Sequence, residues 1–442
     1  MNCRWGFAGI AFGLFVSLAT AVADDWPQWL GPQRDSVWRE TGIVEKFPDS
    51  GLPVKWRVPI AGGYSGPAVA EGRVFVTDFL KSSGEAFNNP GQRAKLNGQE
   101  RVWCLDAATG KVLWKYEYDC SYAISYPAGP RATPTVSEGN VFVLGAEGNL
   151  TCLKAADGKL VWKRELKKDY DCESPIWGFA AHPLVDGHKL ICVVGGEGST
   201  AVAFETNSGK ELWRAISARQ PGYCPPTIIT AGGARQLLIW DADNLNSLDP
   251  ETGKKFWSFN LAPQYDMSIT APRRSGDLLY LSGIGNTGAC LKLTQDKPGV
   301  ELLWKQTPRN GVPCANSTPF LENGMIYGVD CQQGPLRGVK LESGERLWET
   351  YVPTSGKPGE RASHGTAFLV KHADRFFLFS ETGDLVLAKL SPDGYDELSR
   401  FHVVEPTQEC FGRSVIWSHP AFANKCCYVR NDKEIVCVSL AR

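Results

Sequence analysis

The side chains with most chemistry to offer lie in short loops, each closing one strand-rich stretch and opening the next. Tyr126 and Arg131 stand in YDCSYAISYPAGPR (118–131), Trp177 and His182 in DYDCESPIWGFAAH (169–182), and Tyr223 in QPGYCPP (220–226). Arg273 follows in YDMSITAPRR (265–274), Asn316 in NGVPCANS (310–317), His364 just before another strand, and Arg413, Trp417 and His419 in ECFGRSVIWSH (409–419). Aromatic faces and guanidinium forks are the groups that anchor binding hot spots. Two readings stand side by side: a recognition surface, or polar groups that fill a channel mouth and satisfy one another. Bond-breaking constellations are harder to find. Asp266, Asp330 and Glu173 are acids that a dehydrogenase could use, yet nothing in the sequence joins one to a base or a calcium site. No nucleophile elbow, phosphate-binding loop or dinucleotide glycine pattern is present.

These loops need a frame, and a repeat supplies it. Glycine and tryptophan recur four residues apart in CLDAATGKVLW (104–114), CLKAADGKLVW (152–162), AFETNSGKELW (203–213), SLDPETGKKFW (247–257) and GVKLESGERLW (338–348). A sixth copy holds Gly299 and Trp304 with one residue inserted. A period of roughly 40–50 residues marks a solenoid or a propeller. Within one unit, residues 132–136, 141–144, 149–153 and 160–166 read as four short strands joined by Gly-containing turns, which is a propeller blade. The outer-strand residues Trp114, Trp162, Trp213, Trp257, Trp304 and Trp348 are expected to lie across the gap to the next blade while each N–H finds a polar partner. A degenerate seventh outer strand runs through Arg400 and Phe401. Three C-terminal strands (419–423, 425–430, 434–440) lack a fourth, and residues 54–58, carrying Trp56, form a fourth strand with no predecessor. Pairing these orphans predicts an all-β, eight-bladed propeller closed by strands from both ends, with seven blades as the alternative; closure removes open sheet edges. The loops above then gather at one end of the channel. His182, His364 and His419 belong to blades three, seven and eight, so no metal site is expected from them.

Two segments stand outside the repeat. Residues 24–51, opening DDWPQWLGPQR, are expected to wrap the outside of a propeller spanning 52–442. Residues 80–100 are polar and read as a surface flap between the second and third strands of blade one. Residues 1–23 read as a secretory signal: Arg4, an apolar run from Phe7 to Leu18, and an Ala21-Val22-Ala23 cleavage site. That run is short for a membrane span, so an exported, periplasmic or secreted monomer is expected.

Charge narrows the partners. Lys+Arg 47 against Asp+Glu 48 leaves no basic field, which disfavours nucleic acid. Of 14 cysteines, Cys3 falls in the signal, leaving an odd count that implies at least one free thiol in an oxidising compartment. Cys104, Cys152, Cys192, Cys290, Cys331 and Cys437 read as buried small hydrophobes. Cys120, Cys172, Cys224, Cys314 and Cys410 lie in inter-blade loops and are the better disulfide candidates. With no C-x-x-C pair, structural zinc is not expected.

The turn-and-tryptophan element, of the form A-x-D-x-x-T-G-x-x-x-W, resembles the repeat of the pyrroloquinoline-quinone (PQQ) enzyme-like propellers. Asp106/Thr109/Gly110/Trp114 and Asp249/Thr252/Gly253/Trp257 match it most fully; Lys154, Glu205 and Lys340 depart at the Asp position. The resemblance implies two different roles. In quinoprotein alcohol and sugar dehydrogenases it implies PQQ stacked on an aromatic, Ca²⁺ held by Glu/Asn/Asp oxygens and an Asp base. Many of those enzymes also set a disulfide of adjacent cysteines against the quinone, and Cys426-Cys427 are adjacent here. They fall inside a strand, where neighbouring side chains point to opposite faces. In the non-catalytic propellers of the outer-membrane β-barrel assembly machinery (BamB), the resemblance implies a scaffold that presents a surface. The expectation is therefore a propeller that binds an envelope protein or polysaccharide without a cofactor, with a PQQ- and Ca²⁺-dependent dehydrogenase as the alternative.

Overall fold

The computed structural model describes residues 25–442; the expected signal segment, 1–23, lies outside the described residues. Eight four-stranded antiparallel sheets succeed one another, and the innermost strands of blades 1 and 2, 2 and 3, 5 and 6, and 8 and 1 are in contact. Blade 1 comprises Ala68–Ala70, Arg73–Ser83, Ala94–Asp106 and Val112–Ile124; blade 7 comprises Ala367–His372, Arg375–Ser380, Asp384–Ser391 and Gly394–His402. In blade 8 the C-terminal strands Ala421–Ala423, Cys426–Arg430 and Glu434–Ser439 are completed by Val54–Pro59. Trp56 pairs with Cys437 and Val58 with Ile435, so the ring is sealed by both ends of the chain. Each middle strand is covered on both faces by adjacent blades, which is why Val74 to Phe79 are all buried.

The tryptophans join blade to blade by a single rule. Each indole N–H donates to a carbonyl in the next blade's turn, three residues before the turn glycine. Trp56 bonds Ala107 at 3.0 Å, Trp114 bonds Ala155 at 3.0 Å, and Trp162 bonds Thr206 at 2.8 Å. Trp213 bonds Pro250 at 3.2 Å, Trp304 bonds Leu341 at 2.9 Å and Trp348 bonds Ser391 at 2.9 Å. The glycine is demanded twice over. Gly158 has φ +72°, and a Cβ there would sit 2.6 Å from the Trp114 ring; Gly209 and Trp162 repeat both features. Trp257 departs from the rule. The inserted residue before Gly299 alters the next corner, and the Trp257 N–H turns instead to Gln236 Oε1 of its own blade at 2.7 Å. Its ring still packs at the interface with blade 5.

The segment expected to wrap the outside starts at the axis instead. Trp26 exchanges two backbone hydrogen bonds with Val69 of the blade 1 inner strand, and the Val136 N–H of blade 2 donates to the Pro27 carbonyl. Arg34 donates to the carbonyls of Pro183 and Pro226, ahead of blades 3 and 4. Ser36 and Trp38 bond Lys371 on the blade 7 inner strand. The chain then runs outward between blades 7 and 8, where Trp38 packs on Phe422 and Phe377, and the Phe47 N–H reaches Ser399 Oγ on the outer strand at 3.1 Å. The physical reason is the composition of DWPQWLGPQR: Trp26 and Trp38 need full burial, and inner-strand edges offer unpaired backbone groups to bond.

Two further expectations change. The blade 1 excursion is mostly strand, since Arg73–Ser83 and Ala94–Asp106 pair far beyond the blade and leave only 84–93 as loop. The loop cysteines Cys120, Cys172, Cys224, Cys314 and Cys410 are free thiols, as are the other eight cysteines among the described residues. Cys120 lies within the blade 1 outer strand, and Cys172, Cys224, Cys314 and Cys410 follow blades 2, 3, 5 and 7. Cys426 and Cys427 are likewise unbridged and buried.

The indole–glycine joint predicts non-additivity. Gly158→Ala should destabilise by more than about 1 kcal/mol and Trp114→Ala by about 3 kcal/mol. In the double variant the methyl no longer meets a ring, so the loss should fall about 1 kcal/mol short of the sum. Urea unfolding of the four proteins measures this, and strict additivity would contradict the joint.

Candidate functional site

At the loop end of the channel lies a cavity of about 560 Å³. Nine of the eleven side chains singled out from the sequence line it: Tyr126, Arg131, Trp177, His182, Tyr223, Asn316, His364, Trp417 and His419. The other two act from behind. Arg273 donates to the carbonyls of Arg34 and Asp35 at 3.0 and 2.7 Å, clamping the N-terminal segment. Arg413 bonds Glu381 Oε1 at 2.9 and 2.7 Å, while Glu381 Oε2 accepts the Trp417 N–H at 3.1 Å; Arg413 thus orients Trp417 through a shared carboxylate.

The walls are aromatic. Tyr126 and Trp417 lie 6.0 Å apart between ring centres, and Trp177 and Tyr223 5.4 Å. His364 stacks on Phe411 at 4.8 Å with planes 7° apart. Phe411 tips a two-stranded hairpin, Gln408–Cys410 with Arg413–Val415, that replaces the plain loop read from sequence. Across the rim, loop 84–93 brings Pro90 and Gly91 to the cavity and is anchored by Asn88 on the Glu409 carbonyl and Arg93 on the carbonyls of Ala123 and Ser174.

The floor is Trp29, delivered by the N-terminal segment. Its indole stacks on His182 at 4.7 Å and donates its N–H to His419 Nε2 at 3.2 Å. The Thr133 N–H donates to His182 Nδ1 at 2.9 Å. Both imidazoles are therefore acceptors and neutral, and burial holds both pKa values down, His419 to about 3. Beside His182, His419 and Arg34 add to the same effect. The lone pairs of His182 Nδ1 and His419 Nε2 are thus taken by N–H donors, and His364 stacks on Phe411 at the rim.

Electrostatically the cavity is lopsided. Among its lining residues Arg131 is the one full cation, and neither Asp nor Glu is present. Three Arg131 N–H groups go to backbone carbonyls: Ser125 at 2.9 Å, Tyr126 at 2.5 Å, and Gly129. The nearest acids are committed elsewhere. Glu100 accepts from Tyr118, Tyr122 and Ala146, and Glu147 from Ala123, Lys167 and Ser174. Asp266 pairs with Arg219, Asp330 with Arg337, each at 2.7 Å, and Glu173 is exposed. A calcium ion held by carboxylates and a tricarboxylate quinone do not fit this donor set. Asn316 is the lone amide, and its nitrogen donates to Thr366 Oγ1 at 3.1 Å.

Ring, tryptophan joints and aromatic mouth together define a PQQ-like repeat β-propeller. The family model described as "Outer membrane protein assembly factor BamB" matches residues 49–244, 98–350 and 241–441, and the chain belongs to that family. Among solved structures, BamB from Moraxella catarrhalis superposes with a TM-score of 0.55 at 15% identity, covering 88% of this chain and 97% of that one. A europium-containing methanol dehydrogenase gives 0.61 at 12% identity, covering 94% and 89%. The quinohemoprotein alcohol dehydrogenase from Comamonas testosteroni gives 0.60 at 14%, covering 94% and 80%. Identities this low establish the fold. No curated protein sequence matches. No helix among the described residues is long and apolar enough to cross a membrane.

Sequence reasoning missed Trp29, Tyr64 and Phe411 as cavity residues. Tyr64 sits in AGGYSGPA, the loop before the blade 1 inner strand, so the rule that found the other loops would have found it. Trp29 carried no such positional signal.

The neutral histidines set a pH dependence. Unfolded histidine titrates near 6.5, whereas these two stay unprotonated in the folded state to much lower pH. As pH falls below about 6.5 the unfolded chain binds protons that the native one refuses, so stability drops by up to about 1.4 kcal/mol per pH unit for each histidine. His419→Gln keeps an acceptor for Trp29 and should remove one histidine's share of that slope. Urea midpoints from pH 7 to pH 4 measure it; equal slopes would refute the assignment.

Proposed function

We propose that this protein is a non-catalytic binding scaffold of the bacterial envelope, exported and monomeric, which takes a protein or polysaccharide partner on its loop face. One observation carries the reading: a mouth walled by Trp177, Tyr223, Tyr126 and Trp417 holds a single cation and neither Asp nor Glu among its lining residues. Flat, pre-packed aromatics bind with little loss of side-chain freedom. Such a cup can grip a ring or side chain but offers no carboxylate to abstract a proton from it. The family match to an outer-membrane assembly factor supports a scaffold role in the envelope.

Titrating the purified protein with envelope polysaccharides and with unfolded envelope-protein peptides should protect residues 125–131, 176–182 and 411–419 from hydrogen exchange. Trp177→Ala and Trp417→Ala should each weaken that binding about 30-fold, the size of a hot-spot loss near 2 kcal/mol. Alcohol- or sugar-dependent dye reduction after adding PQQ and Ca²⁺ would instead establish the dehydrogenase.

A further inference from the structure

Four residues at the mouth hold a backbone conformation that their side chains disfavour. Tyr126, Tyr265, His364 and Phe411 have φ of +48°, +58°, +55° and +49°, in the left-handed region where a Cβ crowds the following carbonyl. Among the described residues these are the only aromatic or imidazole side chains with positive φ, and all four line the cavity. Phe411 and Gly412 (φ +75°) form the two-residue turn between the paired Cys410 and Arg413. Such a turn favours Asn, Asp or Gly at its first position. Where the same turn closes other hairpins, Glu71, Glu138, Asn323 and Asn424 take that place. Phe411 instead sets a ring there, 47% exposed and stacked on His364. Tyr265 reaches the cavity from the loop between blades 4 and 5, three blades away from the hairpin. It is 73% exposed, with no hydrogen-bond or ring partner among the described residues. Backbone strain and exposure combined at rings around one cavity are the marks of a binding rim.

We infer that the cavity binds an uncharged aromatic ring system of two or three rings, which Phe411 and Tyr265 cover from two sides of the rim. This rests on the scaffold reading and names the ligand chemistry of the same mouth. Size comes first: an apolar cavity of about 150 Å³ holds one benzene, and this one has about 560 Å³. Charge comes next. No Asp or Glu lines the cavity to meet a cation. Arg131 keeps only its Nε–H and one Nη1–H, which form no fork for a carboxylate. A sugar, rich in hydroxyls, finds few partners either. The lone pairs of His182 Nδ1 and His419 Nε2 are taken, the Asn316 nitrogen donates to Thr366, and Thr318 Oγ1 accepts the Ala271 N–H at 3.2 Å. What remains are ring faces and edges, at Trp177 with Tyr223 and at Tyr126 with Trp417, and these match another aromatic ring. Two sources share this chemistry: a free polycyclic aromatic compound, and a tryptophan side chain of a partner protein.

Calorimetric titration of the full chain with naphthol and with N-acetyltryptophanamide separates the sources, with naphthoate as the charged counterpart and cellobiose as the sugar. At least one of the first two should bind with Kd of about 1 mM or tighter, and about tenfold or more better than naphthoate and cellobiose. Phe411→Asn and Tyr265→Asn each replace a ring by a residue that tolerates the left-handed conformation. Their Tm should stay level or rise while the aromatic probe binds about fivefold more weakly. Because Phe411 also stacks on His364, Tyr265→Asn decides the matter should Phe411→Asn lower the Tm. Failure of both aromatic probes to bind below about 10 mM, equal or tighter binding of naphthoate or cellobiose, or wild-type affinity in either variant each overturns the proposal. Loop protection by a polysaccharide or by a peptide without aromatic residues, with neither probe bound, would leave the scaffold standing and remove the aromatic site.

Discussion

Everything in this molecule depends on an indole reaching from one sheet to the next. A four-stranded blade is too small to bury its own faces, and it gains stability only when a neighbour covers it. The tryptophan supplies that cover in two ways at once: its ring lies on a turn that has no Cβ, and its N–H satisfies a turn carbonyl. Neither contact would work with the other missing. A side chain on Gly158 or Gly209 would hold the ring off the turn, and without the bond a buried indole N–H would be left unpaired. The outer strand of blade 8 comes from the start of the chain, so Trp56 applies the same joint across the closure. Closure therefore rests on the same interaction as every other interface.

A ring so built has a hole, and the N-terminal segment turns the hole into a cup. Residues 25–38 bond inner strands of blades 1, 2 and 7, using edges that would otherwise present bare backbone groups. Arg34 and Arg273 are each half-buried by this arrangement, and the loss of water around them lowers both guanidinium pKa values to about 10. Their charges are met by carbonyl dipoles, not carboxylates. The same solution recurs at Arg131. Cations in this channel are held by backbone, which leaves the cavity without acids of its own.

How much of this was legible beforehand follows from what each feature depends on. The Gly–Trp spacing is local, so blade number, blade order and the split eighth blade could be read from residues within a few positions of one another. The mouth was legible because its loops occupy equivalent places in each repeat; that places Tyr126, Trp177 and His419 at one end once the ring exists. What could not be read was the path of 25–51, since a tryptophan destined for the axis and one destined for the rim look alike. Nor could the backs of Arg273 and Arg413 be told from their fronts. Their partners, Arg34 and Glu381, are brought near only by the closed ring. The Trp257 exception is instructive: one inserted residue near Gly299 moved the acceptor, and the side chain found Gln236 at hand.

The division between scaffold and site is also a division of charge. Ion pairs such as Arg101–Asp78 and Arg337–Asp330 lie within blades, where they neutralise one another. At the mouth the acids are turned away: Glu381 is spent on Arg413 and Trp417, Glu100 on two tyrosines, Glu147 on Lys167 and Ser174. A dehydrogenase would need one of them free and facing inward. In place of such a base the cavity has neutral imidazoles that serve only as acceptors for Trp29 and Thr133, stiffening its floor. Rigid aromatic walls, a fixed cation and imidazoles already bonded are what this mouth presents to a ligand.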